Sequence, residues 1–326
     1  MTLIQGTVFK KTIGSYTVHT DAEVMVCTIS SKLRKHFIYL FGHSDPTSAS
    51  KRVMAVDDIQ AIDPIAIGDH VVLTNSDDGT GMIVEVLPRR NKLSRVAADP
   101  KDRGSQKPME QVIVANVDQI IPVFAAASPA PKWNMLDRYL ATAEMAEIPS
   151  IVCITKMDLV DTPPVEIEIY QQIGYPVYLT STSEQQGLEA FRAALGGKIS
   201  VFVGKSGVGK TSLLNAIEPG LGLRVNEVNQ RTGKGKHTTT HQEMFPLQTG
   251  GGIVDTPGMR EFGLWTSAME DDLAYFFREM RPLIGKCQFG LGCSHTTEPG
   301  CAITEAVEQG TIAATRYHSY LKMQDG

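Results

Sequence analysis

The feature that most constrains the fold is the segment Gly204-Lys205-Ser206-Gly207-Val208-Gly209-Lys210-Thr211, which fits the pattern G-x-x-x-x-G-K-[ST]. It follows the apolar run ISVFVG and precedes TSLLNAI, the strand and helix that such a loop needs on either side. Glycines let backbone amides approach phosphate oxygens closely, and the helix N-terminus adds a favourable dipole. The sequence therefore predicts a phosphate-binding loop inside an α/β domain.

The same segment supplies candidate ligands for a nucleotide and its metal ion. Lys210 is predicted to neutralise charge on the β- and γ-phosphates, and the Thr211 hydroxyl to bind Mg²⁺. Asp255 ends the apolar run GGIVD and is predicted to lie beside that Mg²⁺, with the Gly258 amide turned toward the γ-phosphate. The candidate phosphate-site residues are Gly204, Lys205, Ser206, Gly207, Val208, Gly209, Lys210, Thr211, Ser212 and Gly258.

Residues 233–241, GKGKHTTTH, lie between these motifs, where a first switch segment is expected. A threonine hydroxyl in such a segment completes the Mg²⁺ shell only while the γ-phosphate is present. The residues alone leave open which of Thr238, Thr239 and Thr240 does this, and Thr239 is taken as the candidate.

The motif Thr155-Lys156-Met157-Asp158 ends the run SIVCIT and predicts which base is bound. A carboxylate at Asp158 can accept two hydrogen bonds from the N1–H and the exocyclic amine of guanine, whereas adenine offers no such donor pair. Lys156 is expected to lay its stem along the base plane. The run Leu179-Thr180-Ser181 is similar to the backbone turn that contacts the guanine O6. GTP is favoured over ATP, with Thr155, Lys156, Asp158, Thr180 and Ser181 as base-site candidates.

Hydropathy patterning divides the chain into four segments. Residues 1–88 alternate like five short strands and predict an OB-like barrel, although an SH3-like barrel has the same pattern. Residues 89–108 are a basic linker, either a solvated segment or one that contacts phosphates. In residues 109–265, apolar runs alternate with amphipathic helices, as in a parallel sheet covered by helices. Residues 266–326 are predicted to be helical around a cysteine cluster.

The net charge and the placement of the cysteines limit which cellular compartment and which partners are expected. A formal net charge of −5 carries no general signature of nucleic-acid binding. No apolar run reaches the roughly 18 residues that cross a bilayer, so a cytoplasmic protein is expected. Three of the five cysteines crowd into one short segment. That crowding indicates a metal site in a reducing compartment.

Together these motifs resemble the circularly permuted small-subunit-dependent GTPases, a bacterial family of ribosome-assembly GTPases. Here the base motif precedes the phosphate loop, whereas ordinary GTPases have the reverse order. The resemblance covers nearly the whole chain: the barrel, then NVDQIIPVFAAA, LDRYLATAE, GKSGVGKT, KHTTT and DTPGMREFGLW, then the cysteine and histidine cluster. It implies a multidomain chain with an OB-like barrel, a permuted α/β P-loop GTPase domain and a C-terminal helical zinc-binding domain.

The resemblance also implies an activity and its partners. The chain is expected to hydrolyse GTP to GDP and phosphate during late maturation of the small ribosomal subunit, and to bind that subunit and its rRNA. No DNA partner and no membrane partner are expected, and the chain is expected to be a monomer. The alternative is a GTP-dependent binding module for a non-ribosomal RNA or protein partner. A metabolic enzyme is disfavoured because the sequence contains no second set of nucleophile, base and oxyanion donors.

A structural zinc ion is implied at Cys287, Cys293, His295 and Cys301. The first gap is one residue longer than the family spacing, and Gly290 and Gly292 can absorb the extra residue. Three thiolates and one imidazole fill a tetrahedral site with no open position, which predicts a structural role. Because the cluster follows the second switch, nucleotide state is expected to reorient the C-terminal region.

Two positions depart from ordinary GTPases. Thr155 stands where most carry asparagine, which predicts a weaker or differently made brace on the phosphate loop. Met259 follows Gly258, where Ras-like enzymes carry the glutamine that positions the attacking water. Slow intrinsic hydrolysis is therefore expected, and the resemblance supports His237 as the catalytic residue that orients water or accepts its proton.

Overall fold

The computed structural model describes residues 3–12, 14–34, 65–76, 78–97, 109–222, 243–255 and 273–325. The chain divides into two compact units, one of residues 1–117 and 239–245 and the other of residues 118–238 and 246–326. The domain boundaries at residues 88, 108 and 265 stay predictions.

Five strands close the barrel of the first unit. They are β1 (Leu3–Thr12), β2 (Ser15–Thr20), β3 (Val24–Ile29), β4 (His70–Asn75) and β5 (Thr80–Val86), in the order β1-β2-β3-β5-β4. The order closes because β1 pairs antiparallel with both β2 and β4. Alternate residues point inward, so that Val18, Met25 and Cys27 are buried in the barrel core. The predicted five-stranded barrel is confirmed.

A two-stranded antiparallel sheet follows, formed by β6 (Lys92–Ala97) and β7 (Met109–Ala115). The apolar run VIVANV of residues 112–117 predicts a strand of the central parallel sheet, but its first four residues lie instead in β7. Its burial, from Val112 to Ala115, explains why it resembles a central strand. Of the basic residues in this region, Arg89 pairs with the buried carboxylate of Asp69, with Nε 2.7 Å from Oδ1.

A six-stranded sheet follows, and five of its strands lie wholly in the second unit. Its strands are β8 (Gln119–Ala125), β9 (Val152–Thr155), β10 (Val177–Leu179), β11 (Lys198–Val203), β12 (Met244–Pro246) and β13 (Gly251–Asp255), in the order β10-β9-β8-β11-β13-β12. The pairs from β10 to β13 are parallel. Every residue of β8 is buried, as expected for a strand with helices on both faces. The predicted α/β domain is confirmed.

The helices of this unit are α1 (Trp133–Met145), α2 (Glu166–Ile173), α3 (Leu188–Leu195), α4 (Lys210–Ile217), α5 (Ala302–Glu308) and α6 (Ala314–Gln324). Short 3₁₀ turns lie at Met157–Leu159, Pro219–Leu221, Leu273–Phe276, Arg281–Leu283 and Gly290–Gly292. None of the helices in the described ranges has both the length and the hydropathy of a membrane span.

Hydropathy periodicity predicts a helix from Glu184 to Leu195, but α3 begins four residues later, at Leu188. Ser181 and Gln186 exchange two backbone hydrogen bonds, of 3.1 and 3.0 Å, which close a tight turn before the helix. Gly187 then turns the chain with a φ of 68°. A Cβ at this glycine would lie 2.1 Å from the Leu179 carbonyl oxygen. The helix begins only after this turn, because backbone groups of Ser181 and Gln186 in the turn are already hydrogen-bonded to each other.

The C-terminal segment is fastened to α1 by a buried ion cluster. Arg316 on α6 is 2% exposed, and its Nη1 lies 2.8 Å from Oδ1 of Asp137 on α1. Its Nε lies 2.6 Å from Oε1 of Glu279. The hydroxyl of Tyr170 donates to the same Asp137 oxygen at 2.8 Å. A buried charge left without its partner is strongly destabilising, so any reorientation of the C-terminal region would have to preserve this cluster.

Candidate functional site

Four parallel strands end at one edge of the six-stranded sheet, and each end leads into a predicted site segment. The end of β9 leads into the Thr155–Asp158 motif, and the end of β10 into Thr180 and Ser181. The end of β11 leads into the phosphate loop, and β13 ends at Asp255. In open parallel sheets, ligands bind outside the carboxyl ends of the strands. The fold therefore collects at one edge motifs that lie up to 100 positions apart in the chain.

The phosphate loop is shaped by glycines at close approaches. A Cβ at Gly204 would lie 2.4 Å from the carbonyl oxygen of Val123, so only glycine fits beside β8. Gly209 has a φ of 94° and immediately precedes α4. The Lys210 Nζ donates to the Gly204 carbonyl at 2.7 Å, which places the ammonium group over the loop. A cation over amides at a helix N-terminus is an arrangement that attracts phosphate.

The base motif braces this loop from the neighbouring strand end. The Thr155 hydroxyl is within hydrogen-bonding distance of the carbonyls of Val208 and of Phe124, the latter at 3.2 Å. The Lys156 Nζ donates to the Gly207 carbonyl at 2.7 Å and also to the Ser128 carbonyl. Two consecutive carbonyls of the phosphate loop thus have donors from the base motif. Thr155 stands where most GTPases carry asparagine, and its hydroxyl itself makes the hydrogen bond that braces the phosphate loop.

Replacing Thr155 by valine is expected to weaken GTP binding about 5- to 10-fold, because one hydrogen bond of about 1 kcal/mol to the loop is lost at nearly constant shape. Thr142→Val is the matched control, since its hydroxyl donates to the Arg138 carbonyl within α1. The measurement is equilibrium binding of a fluorescent GTP analogue. Equal affinities in wild type and Thr155→Val would show that the brace does not preorganise the loop.

The predicted base-reading carboxylate is held in place by hydroxyl groups. Ser181 Oγ donates to Asp158 Oδ1 at 2.6 Å, and Ser183 Oγ lies 2.9 Å from Ser181 Oγ. Hydrogen bonds from these two serines lower the pKa of the exposed Asp158 below its ordinary value. Thr180 is fully buried and donates to the Ile154 carbonyl at 3.2 Å. The arrangement presents an ionised acceptor at a fixed position.

The structure brings together part of the predicted site. Gly258, Thr239 and His237 lie outside the described residues, and for Asp255 only the backbone at the end of β13 is described. Lys205 and Ser206 lie within the loop, and Thr211 and Ser212 in the first turn of α4. Sequence reasoning missed the Ser128 carbonyl and the Ser183 hydroxyl. The position of Ser128 just beyond β8, at the same sheet edge, was the available signal.

The four predicted metal ligands converge in the C-terminal segment. Cys287, Cys293, His295 and Cys301 are all buried, and their ligand atoms lie within 4.8 Å of one another. The Sγ atoms of Cys287 and Cys301 are 3.8 Å apart, and His295 Nδ1 lies 3.4 and 3.5 Å from them. Tetrahedral zinc, with Zn–S about 2.3 Å and Zn–N about 2.0 Å, requires S···S near 3.8 Å and S···N near 3.5 Å. The distances among Cys287, His295 and Cys301 fit that ion, and the Cys293 sulfur lies within 4.8 Å of these three ligand atoms.

The thiols of this cluster differ in acidity. Burial raises the pKa of Cys293 to about 12. At Cys301, burial also opposes ionisation, but hydrogen bonds from the Thr304 amide and from His295 outweigh it and the pKa falls to about 7. Metal ligation requires thiolates, so a bound cation would favour the ionised form of all three sulfurs.

The chain is similar to one protein family and to relatives that share its name. The model of the family described as RsgA GTPase matches residues 86–265. A relative from Ectopseudomonas mendocina named "Small ribosomal subunit biogenesis GTPase RsgA" is 42% identical over 261 residues, which cover 78% of this chain and 73% of the relative. A relative of the same name from Alkaliphilus metalliredigens is 35% identical over 323 residues, or 98% of this chain and 96% of the relative.

Two solved structures share the fold along nearly the whole chain. The crystal structure of YjeQ from Thermotoga maritima has a TM-score of 0.70 at 31% identity and covers 99% of this chain and 97% of its own. The crystal structure of YloQ, described as a circularly permuted GTPase, has a TM-score of 0.67 at 31% identity and covers 99% of this chain and 94% of its own.

Proposed function

The chain belongs to the RsgA GTPase family, and we propose that it hydrolyses GTP while acting in the biogenesis of the small ribosomal subunit. The observation that carries this proposal is the joining of the base motif to the phosphate loop, through Thr155 and Lys156, at the carboxyl edge of the sheet. The names of the relatives point to the small ribosomal subunit as the particle on which the GTPase acts. Such a protein would work in the cytoplasm, and the finer assignment to late maturation is part of the same proposal.

Guanine is recognised by Asp158 in this proposal. Its carboxylate, oriented by Ser181, accepts from the N1–H and the exocyclic amine of the base. Thr180 and Ser181 form the turn beside the base, and the stem of Lys156 lies along the ring. Adenine would leave the carboxylate without donors, which costs the full desolvation of a charged group. The preorganised carboxylate is therefore the source of selectivity for GTP.

The phosphates lie along the loop from Gly204 to Ser212 in this proposal. Backbone amides and Lys210 offset their charge, and Gly258 contributes an amide near the γ-phosphate. Thr211, Thr239 and Asp255 would hold Mg²⁺, which supplies charge neutralisation at the phosphoryl oxygens when bound. His237 would orient the attacking water or accept its proton. The side chains of Thr239, Asp255 and His237 enter this proposal on sequence grounds alone.

Zinc is the metal we assign to the cluster of Cys287, Cys293, His295 and Cys301. The distances among Cys287, His295 and Cys301 match a tetrahedral zinc site, and soft thiolate donors favour zinc over Mg²⁺ or Ca²⁺. Four protein ligands leave no open position for substrate. The ion would therefore stabilise the C-terminal segment and take no part in hydrolysis.

Partner binding is tested by co-sedimentation with purified small ribosomal subunits. The protein is expected to pellet with the subunits in the presence of a non-hydrolysable GTP analogue and to be released in GDP, because the switch segments respond to the γ-phosphate. Binding is expected to weaken steeply with salt if rRNA phosphates are contacted. Large ribosomal subunits serve as the control particle. Equal recovery with both subunits, or none with either, would exclude the proposed partner.

A further inference from the structure

The metal ligand His295 lies in an unusual backbone conformation. Its φ is 59°, in the left-handed region that is uncommon for residues other than glycine, although asparagine, aspartate and histidine adopt it more often than the rest. Its Nδ1 nevertheless lies 3.4 Å from the Cys287 sulfur and 3.5 Å from the Cys301 sulfur. Because the left-handed region is less favourable than the ordinary ones for a residue with a Cβ, hydrogen bonds from surrounding residues help to hold His295 in it.

Glu298 accepts hydrogen bonds from residues on either side of His295 in the chain. Its Oε1 accepts from the Ser294 amide at 2.8 Å and from the Ser294 hydroxyl. Its Oε2 accepts from the amides of Thr296 and Thr297 at 3.0 and 3.2 Å, and from the Thr296 hydroxyl at 3.4 Å. A single carboxylate thus accepts from both neighbours of the metal ligand in the chain.

The carbonyls of the same loop are hydrogen-bonded by tyrosines of α6. The Tyr317 hydroxyl lies 2.8 Å from the His295 carbonyl and 3.1 Å from the Thr296 carbonyl. The Tyr320 hydroxyl donates to the Ser294 carbonyl at 2.9 Å. The amides of the loop are therefore fixed by Glu298, and its carbonyls by Tyr317 and Tyr320. None of these three side chains is a metal ligand.

We propose that Glu298 is a positioning residue of the metal centre, which holds His295 in its left-handed conformation and so aims the ring at the cysteine sulfurs. Tyr317 acts with it by fixing the carbonyls of the loop. Groups that orient metal ligands without touching the metal commonly contribute 10- to 100-fold to metal affinity. The inference rests on the proposed zinc site and assigns a role to residues outside the ligand set.

The test is zinc affinity of the full-length chain, measured by competition with a chelator of known affinity. Glu298→Ala is expected to weaken zinc binding about 10- to 100-fold. Glu298→Gln is expected to lose less, because its one amide oxygen still accepts from part of the loop. Tyr317→Phe should weaken binding in the same direction. Glu308→Gln is the matched control, since Glu308 lies exposed on the neighbouring helix α5, and its affinity should equal that of the wild type.

A second readout separates positioning from loss of fold. Co²⁺ bound in place of zinc gives an absorption spectrum that reports ligand geometry, and Glu298→Gln and Tyr317→Phe should shift that spectrum while Glu308→Gln does not. Wild-type affinity and an unchanged spectrum in both Glu298 variants would overturn the inference while leaving the zinc site standing. A wild-type chain that binds no zinc would overturn the site and the inference together.

Discussion

Replacing Asp158 by asparagine is expected to weaken GTP binding about 10²- to 10⁴-fold, because two hydrogen bonds to a charged group, each contributing about 1.5–3 kcal/mol, are lost or reversed. Xanthosine triphosphate carries a carbonyl in place of the exocyclic amine of guanine. The asparagine amide can donate to that carbonyl, so the variant should prefer xanthosine triphosphate to GTP. The exposed position of Asp158 predicts little change in stability.

Calorimetric titration with both nucleotides measures this exchange of preference. Asp161→Asn is the matched control, because Asp161 is an exposed aspartate on the same loop and three residues further on. It should bind GTP like the wild type. An Asp158→Asn variant with unchanged GTP affinity would show that another group reads the base, and the assignment of guanine selectivity to Asp158 would be lost.

Replacing His237 by alanine is expected to lower GTP turnover in the presence of small ribosomal subunits by about 10²- to 10⁴-fold, the range typical of a positioned acid–base group. Affinity for GTP should stay close to that of the wild type, since recognition of the base and phosphates rests on other residues. His318→Ala is the control, because His318 lies exposed on α6. Single-turnover kinetics with saturating subunits separate the hydrolytic step from nucleotide exchange.

A His237→Ala variant that retains full stimulated turnover would remove this residue from the mechanism. A variant that loses GTP binding as well would assign it to the nucleotide site instead of the hydrolytic step. Only loss of turnover with retained affinity agrees with the proposed role.

The placement of the candidate nucleotide-site segments was predictable because each segment carries a local signal. A phosphate loop has few sequence solutions, and a strand end followed by T-K-x-D is informative once a phosphate loop is present. The apolar runs indicate a parallel sheet, and the carboxyl ends of parallel strands lie at one edge of the sheet. The brace from Thr155 to the Val208 carbonyl was not predictable, since it depends on how closely two loops from different strands approach.

The C-terminal segment likewise contains one feature that the sequence predicted and one that it did not. The ligand set of cysteines and histidine was predictable from spacing, and the structure groups all four residues. The buried cluster of Arg316, Asp137 and Glu279 was not, because it joins residues up to 179 positions apart that look like ordinary charged surface positions in the sequence. Helical periodicity gives the face of a residue but not its partner. Long-range ion pairs of this kind emerge only from the packing.

The measurement that tests the central claim most directly is GTP turnover by the purified chain, alone and with isolated small ribosomal subunits at a fixed salt concentration. Salt must be stated because contacts to rRNA phosphates weaken as ionic strength rises. We expect slow turnover by the chain alone and a large rise with small subunits. Turnover that the subunits leave unchanged would contradict a ribosome-coupled GTPase and leave only the guanine-nucleotide site.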